Sequence, residues 1–127
     1  MNLTKEVISM KALVFHQFGG PDVLTYEEVP TPMPQVDEVL VRTKAIGLNY
    51  ADVYRRKGNY HLVGEPPYIL GYEGAGVVEA IGADVTSLQV GDRIAFADVP
   101  HANAEFVTVP PMRVASKLSS NVEPTES

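Results

Sequence analysis

The chain has 127 residues, 45% of them apolar and 20% charged, with no cysteine and a formal net charge of −6. A length like this supports one domain that buries roughly two-thirds of its unfolded surface. The missing cysteines exclude disulfides and thiolate metal sites, and the acidic balance argues against the clustered Lys and Arg that nucleic acids require.

No apolar run approaches the ~20 residues that cross a bilayer. Residues 1–9 lack the long apolar stretch and small-residue cleavage site of a signal peptide, so a cytoplasmic protein with no membrane partner is expected. Residues 1–9 read as an extension, and Met10 to Phe15 as the first strand. Gly19-Gly20-Pro21-Asp22 is a turn cluster, followed by an edge strand from Val23 to Val29. Pro30, Pro32 and Pro34 lack the N–H that a sheet ladder needs, which makes the next stretch a stiff extended connection. Glu38 to Ile46 is the clearest strand. Arg42 and Lys44 share one face there, and Val39, Val41, Thr43 and Ala45 share the other. Asn49 to Lys57 reads as a short helix, capped by the Asn49 side chain and ended by Gly58 in a left-handed conformation. Leu62 to Pro67 is a loop.

From Leu70 to Gly82, four glycines (Gly71, Gly74, Gly76, Gly82) punctuate an apolar run that otherwise reads as a strand. Glycines inside a strand mark backbone approached closely by other backbone or by a ligand. The spacing Gly71-x-x-Gly74-x-Gly76 echoes a nucleotide loop, but a strand follows it, not a helix whose N-terminus would receive a pyrophosphate. Gly91-Asp92-Arg93-Ile94 turns into a run from Ile94 to Ala97. Further strands run from Ala104 to Val109 and from Arg113 to Ala115, separated by Pro110-Pro111. Six or seven short strands with one convincing helix predict a β-rich barrel or sandwich, ending in a polar, linker-like tail over 119–127.

Two stretches carry a family resemblance. Gly71-Tyr72-Glu73 with its spaced glycines and the Gly91-Asp92-Arg93 turn resembles the catalytic domain of medium-chain dehydrogenases/reductases. Gly47-Leu48-Asn49, then Asp52, Tyr54, Gly58 and Tyr60, resembles the quinone oxidoreductase pattern. Zinc-dependent members carry a histidine ligand at the position of Tyr72 and a cysteine ligand at that of Asn49. The chain therefore resembles the zinc-free quinone oxidoreductase, or zeta-crystallin-like, branch. The resemblance implies a mainly β fold, a GroES-like partly open β-barrel with short helices, over residues 10–118. It implies that 119–127 begins a linker to a Rossmann nucleotide-binding domain missing from this chain. It also implies NADPH as cofactor of the full-length enzyme, hydride transfer to a quinone or an activated alkene such as an enone, no metal, and a homodimer. By the same resemblance Asn49, Tyr50, Asp52 and Tyr54 bind the nicotinamide end of the cofactor, and Tyr54 and Tyr60 are the catalytic candidates.

The residue chemistry suits that role, because an amide offers a donor and an acceptor and a tyrosine offers a hydroxyl on an apolar ring. Other accounts of the same residues stay open. Asn49 serves as a helix cap, Tyr60 covers a core edge, and Asp52 orients a neighbour through a salt bridge. Arg55, Arg56 and Lys57 complement the helix macrodipole. Tyr72 fills the space of a histidine and its metal, and Glu73 is a structural carboxylate. His16, His61 and His101 show no ligand spacing, and Glu27-Glu28 reads as an exposed strand end. Without a docking domain, an apolar surface is expected to lie open near Tyr54 and the tail. The rival to an enzyme is a stand-alone, non-catalytic GroES-like module that binds a partner or oligomerises. RNA binding comes third, against the acidic balance.

Overall fold

Alternating burial defines the first strand. In Ser9–Phe15 (β1), Met10, Ala12 and Val14 are buried while Ser9 and Lys11 are exposed. The computed structural model describes residues 9–47, 52, 55–58 and 67–118. Among these, β1 lies at the centre of a three-stranded antiparallel sheet, between Leu24–Pro30 (β2) and the short Tyr68–Ile69 (β4). β2 is an edge strand, as expected, and Pro30 sits at the end of its ladder opposite Ser9. The fold is mainly β: helical backbone among the described residues is confined to Asp52, Arg55 and Arg56 and two short 3-10 turns, Pro21–Val23 and Pro111–Arg113. No helix among the described residues is long and apolar enough to cross a membrane.

The second sheet has five antiparallel strands: Val39–Gly47 (β3), Glu73–Ile81 (β5), Arg93–Ala97 (β6), Phe106–Val109 (β7) and Val114–Leu118 (β8), in the order β7-β3-β5-β6-β8. It curls around a core of Val39, Val41, Val78, Ile94, Phe96, Val107 and Val109, closed by Val85, Leu88, Val99 and Ala102 from the connections. Each Val, Leu, Ile or Phe side chain among them contributes roughly 1.5–3 kcal/mol by leaving water. A second cluster, Met10, Ala12, Val14 and Ala104, lies under β1. Residues 102–105 join the two sheets: Leu13 N–H donates to the Asn103 carbonyl, Glu105 N–H to that of Lys11, and Thr43 N–H to that of Glu105.

Four details differ from the sequence expectation. β3 does not keep strict alternation, since Leu40 is buried beside Val39 and Val41. A register shift between Leu40 and Val41 opposite β5 breaks the period, and a second falls between Thr43 and Ala45. The run from Ala104 pairs as a strand only from Phe106, because Ala104 bridges to Ala12 in the other sheet. The run from Arg113 begins in the 3-10 turn, with Val114 N–H donating to the Pro111 carbonyl, and continues to Leu118. Tyr68–Ile69 is a strand without a local signal. It forms because Val14 and Phe15 offer it a ladder.

The glycine run is filled by backbone. A Cβ on Gly76 would overlap the Arg42 carbonyl oxygen and stand 2.8 Å from Val41 Cγ1; on Gly74 it would meet the Ala45 carbonyl oxygen at 2.7 Å. Gly82 packs against the carbonyls of Gln35 and Val36 in the same way. Close backbone approach, not a ligand, accounts for these glycines.

Candidate functional site

The helical turn expected from Asn49 to Lys57 is present where the structure describes it. Asp52, Arg55 and Arg56 are helical, and Gly58 ends the turn with φ +85° while its N–H donates to the Arg55 carbonyl over 3.0 Å. Asn49, Tyr50, Tyr54 and Tyr60 lie outside the described residues, as does the surface expected near Tyr54 and the tail. Asp52 lies inside them and is only 4% exposed.

Asp52 orients a neighbour. Its Oδ1 receives Arg55 Nη1 at 3.3 Å, one turn along the same helix face, and the Arg55 side chain is 12% exposed. The Arg55 guanidinium then stacks on the Tyr72 ring, 3.7 Å from the centroid. Arg55 serves this stack, and Arg56 donates through Nε to the Gly19 carbonyl at 3.1 Å, tying the turn to the Phe18 loop.

Tyr72 enters the stack from the turn that precedes β5. Gly71 makes that turn possible: its φ is +98°, and a Cβ there would collide with the Asn103 amide. The turn is zipped to the loop after β6, with N–H donors of Val99, Ala102 and Asn103 reaching the carbonyls of Tyr72, Gly71 and Leu70 at 3.0, 3.1 and 2.8 Å. Within that loop Asp98 and His101 have φ of 59° and 69°, a region that side-chain-bearing residues seldom adopt. Arg113 Nη1 holds the Asp98 carboxylate at 2.8 Å.

These neighbours set the state of the phenol. Burial pushes the Tyr72 pKa above its ordinary value; Arg55 opposes this, and Asp52 and Asp98 add to it. The phenol is therefore protonated and uncharged throughout the physiological range. The corner gathers Tyr72, Asp52, Arg55 and Asp98, and only Asp52 among them was a candidate site residue from sequence. The Asp52–Arg55 spacing was a readable signal for the pair. Nothing in Asp98-Val99-Pro100-His101 announced a left-handed backbone, because the segment has no glycine.

Elsewhere the polar groups are structural or unassigned. His16 Nε2 meets both Glu27 oxygens, at 3.0 and 2.8 Å, across the β1–β2 pair, and Thr25 donates to the same carboxylate. Among the described residues no group of three or more His, Asp or Glu is placed to hold a metal ion. A groove of about 430 Å³ lies between β1 and the end of β3 and is lined by Lys11, Leu13, Tyr26, Lys44 and Ile46 among others. A second, about 350 Å³, is lined by Glu73, Ile46, Phe96, Ala97 and Ala115 among others. A dinucleotide pyrophosphate finds no cradle in the glycine run, whose space backbone carbonyls already occupy.

The comparisons agree with this architecture. Residues 35–116 match the family described as alcohol dehydrogenase GroES-like domain. A quinone oxidoreductase of Pseudomonas aeruginosa is 49% identical over 90 residues, 71% of this chain and 27% of that protein. A 2-haloacrylate reductase of a Burkholderia species is 46% identical over 85 residues, 65% of this chain and 26% of that protein. Among solved structures, the Escherichia coli quinone oxidoreductase complexed with NADPH superposes with a TM-score of 0.80 at 31% identity, over 90% of this chain and 35% of that one. The chain spans about a quarter of the length of these curated relatives. It belongs to the alcohol dehydrogenase GroES-like domain family of the medium-chain dehydrogenases/reductases, with quinone oxidoreductases among its similar relatives.

Proposed function

We propose that this chain is the catalytic-domain part of an NADPH-dependent quinone oxidoreductase that reduces a quinone or an activated alkene without zinc. The observation that carries this reading is the Asp52–Arg55–Tyr72 corner, which presents a protonated hydroxyl held by charges where a metal-using site would present a ligand. The likeness to quinone oxidoreductases and to a 2-haloacrylate reductase supports the acceptor class, and the NADPH complex of the Escherichia coli relative supports the cofactor.

When bound, NADPH supplies the hydride, two electrons and one hydrogen, and a proton from water completes the hydroquinone or the saturated product. The chain's own residues orient and stabilise. By the family resemblance Asn49, Tyr50, Asp52 and Tyr54 bind the nicotinamide end of the cofactor, Asp52 by fixing Arg55. Tyr54 and Tyr60 are by the same resemblance the catalytic hydroxyls, which would stabilise the acceptor oxygen as it gains charge when hydride arrives. The pyrophosphate is held by a Rossmann domain, and the whole enzyme is a cytoplasmic homodimer.

The test is a domain exchange. Residues 10–118 replace the corresponding segment of the Pseudomonas aeruginosa relative, and NADPH oxidation is followed with simple quinones and enones. Turnover that withstands a chelator is the expected result, while the 127-residue chain by itself shows no saturable NADPH binding. A folded exchange protein that binds NADPH and reduces neither acceptor class overturns the proposal.

A further inference from the structure

We propose that Tyr72 is the hydroxyl that hydrogen-bonds the acceptor's carbonyl oxygen, positioned for it by Arg55 and Asp52. This rests on the carbonyl-acceptor reading above and adds to it a residue distinct from Tyr54 and Tyr60. The three described tyrosines differ in what constrains them. Tyr26 stands 65% exposed on the edge strand β2. The Tyr68 ring packs against Phe15 and Phe18, with centroids 5.3 and 6.0 Å away. Tyr72 alone of the three is gripped by charge: its half-buried ring lies under a guanidinium that is itself anchored to a buried carboxylate. Swinging the ring away would strip Arg55 of its stacking partner inside a desolvated pair, so the phenol is held in one place before any ligand arrives. Preorganised donors of this kind do the most to stabilise a developing oxyanion, because they need no reorganisation during reaction.

Two further features point to a site. The non-glycine positive-φ residues recorded among the described residues, Asp98 and His101, both fall in the loop whose N–H groups hold the Tyr72 turn. Strained backbone of that kind gathers at functional sites. Two ion pairs also border the ring, Asp52–Arg55 and Asp98–Arg113. A neutral phenol hydroxyl beside them is a donor suited to an uncharged acceptor such as a carbonyl oxygen. Tyr72 is thus a substrate-contacting residue, and Arg55 and Asp52 are positioning residues.

The experiment compares two probes of one shape. Duroquinone carries two carbonyl oxygens and resists addition by lysines; durene is the same tetramethylated ring without them. Binding of each to the 127-residue chain is followed by NMR, for wild type, Tyr72→Phe and Tyr68→Phe. We expect saturable duroquinone binding that weakens about tenfold in Tyr72→Phe, the scale of one lost hydrogen bond, and is unchanged in Tyr68→Phe. Durene should bind wild type and Tyr72→Phe alike. Equal duroquinone affinity in wild type and Tyr72→Phe, or an equal loss for durene, overturns the assignment, since the ring would then act only by packing. Failure of wild type to bind duroquinone overturns it as well. None of these outcomes touches the domain-exchange turnover, which judges the acceptor reading separately.

Discussion

The β3–β5 ladder and the Tyr72 corner both bring chain segments into close approach, by opposite means. Along the ladder two side chains are absent: Gly74 and Gly76 let β5 lie against the carbonyls of Ala45 and Arg42, and the closest atoms to each missing Cβ are backbone oxygens. At the corner the side chains stay and are charged, with Asp52, Arg55 and Tyr72 stacked in contact and Asp98 nearby. Gly71 is the hinge between the two regimes, a glycine whose missing side chain makes room for the Asn103 amide. The comparison teaches that the glycine-rich signature is architectural, and that the chemistry begins one residue beyond Gly71.

Breaking the ladder side of this comparison has the largest effect. A Cβ at Gly76 would stand 2.9 Å from the Arg42 carbonyl carbon, and backbone on both sides has no way to retreat. Gly76→Ala should cost about 4 kcal/mol, a large share of the ~5–15 kcal/mol that holds a domain together. Gly91→Ala is the control, since its φ is +95° but nothing lies within 4 Å of a new Cβ. That substitution meets only backbone strain and should cost about 1 kcal/mol. Urea midpoints measure both, and equal losses would mean that close approach is not what the ladder glycines serve.

The corner breaks by removal of charge. Asp52→Ala leaves the Arg55 guanidinium in a nearly closed site without its carboxylate, and should cost about 3 kcal/mol. Replacing both residues by leucine should recover most of that stability, because a matched apolar pair carries no desolvation penalty. If the double variant is as unstable as Asp52→Ala, the pair is not the unit that holds the corner. The recovered protein should still have lost the grip on Tyr72.

The ladder was far more legible in the sequence than the corner. β1, β2 and β3 follow period-two burial or turn punctuation closely enough to be found within a residue or two. β4 was not, because two residues carry no period and its existence depends on the edge that β1 presents. The bulge between Leu40 and Val41 escaped as well, since it is decided by pairing across to Ala80 and Val78 and not by either strand alone. At the corner, the Asp52–Arg55 pair was readable as neighbours on a helix face, but their stacking on Tyr72 joins segments seventeen residues apart through the fold. Asn49, Tyr50, Tyr54 and Tyr60 rest on family resemblance, which the described residues do not reach.

Asn103 sharpens the boundary between the regimes. It is 4% exposed, and neither amide atom has a hydrogen-bond partner among the described residues. Burying such a group without partners costs about 1–3 kcal/mol. Asn103→Ala should therefore be neutral or stabilise the fold by about 1 kcal/mol, the small cavity offsetting part of the gain. Thermal unfolding measures it. A loss above about 2 kcal/mol would show that the amide does hold something in solution, and would move Asn103 from the architectural side to the chemical one.

The smallest effects lie in the pH dependence, where the corner and the three-stranded sheet respond at opposite ends of the scale. Burial raises the Tyr72 phenol above the ordinary 10.0, so the folded state favours the protonated form. Its contribution is complete below that value and is lost as pH rises from 10.0 through the folded pKa. On the three-stranded sheet, the Thr25 hydroxyl first and His16 second lower the Glu27 carboxyl below the ordinary 4.5. Its contribution is complete above 4.5 and is lost as pH falls through the folded pKa. Tyr72→Phe should therefore flatten the alkaline limb of a plot of Tm against pH and leave the acid limb alone, while Glu27→Gln should do the reverse. The Glu27 change should be the fainter, since its carboxylate is exposed and screened by water and salt. A Tyr72→Phe variant whose alkaline limb follows wild type would mean that the phenol ionises as freely in the fold as outside it, and the corner would then lose its claim to hold a neutral donor.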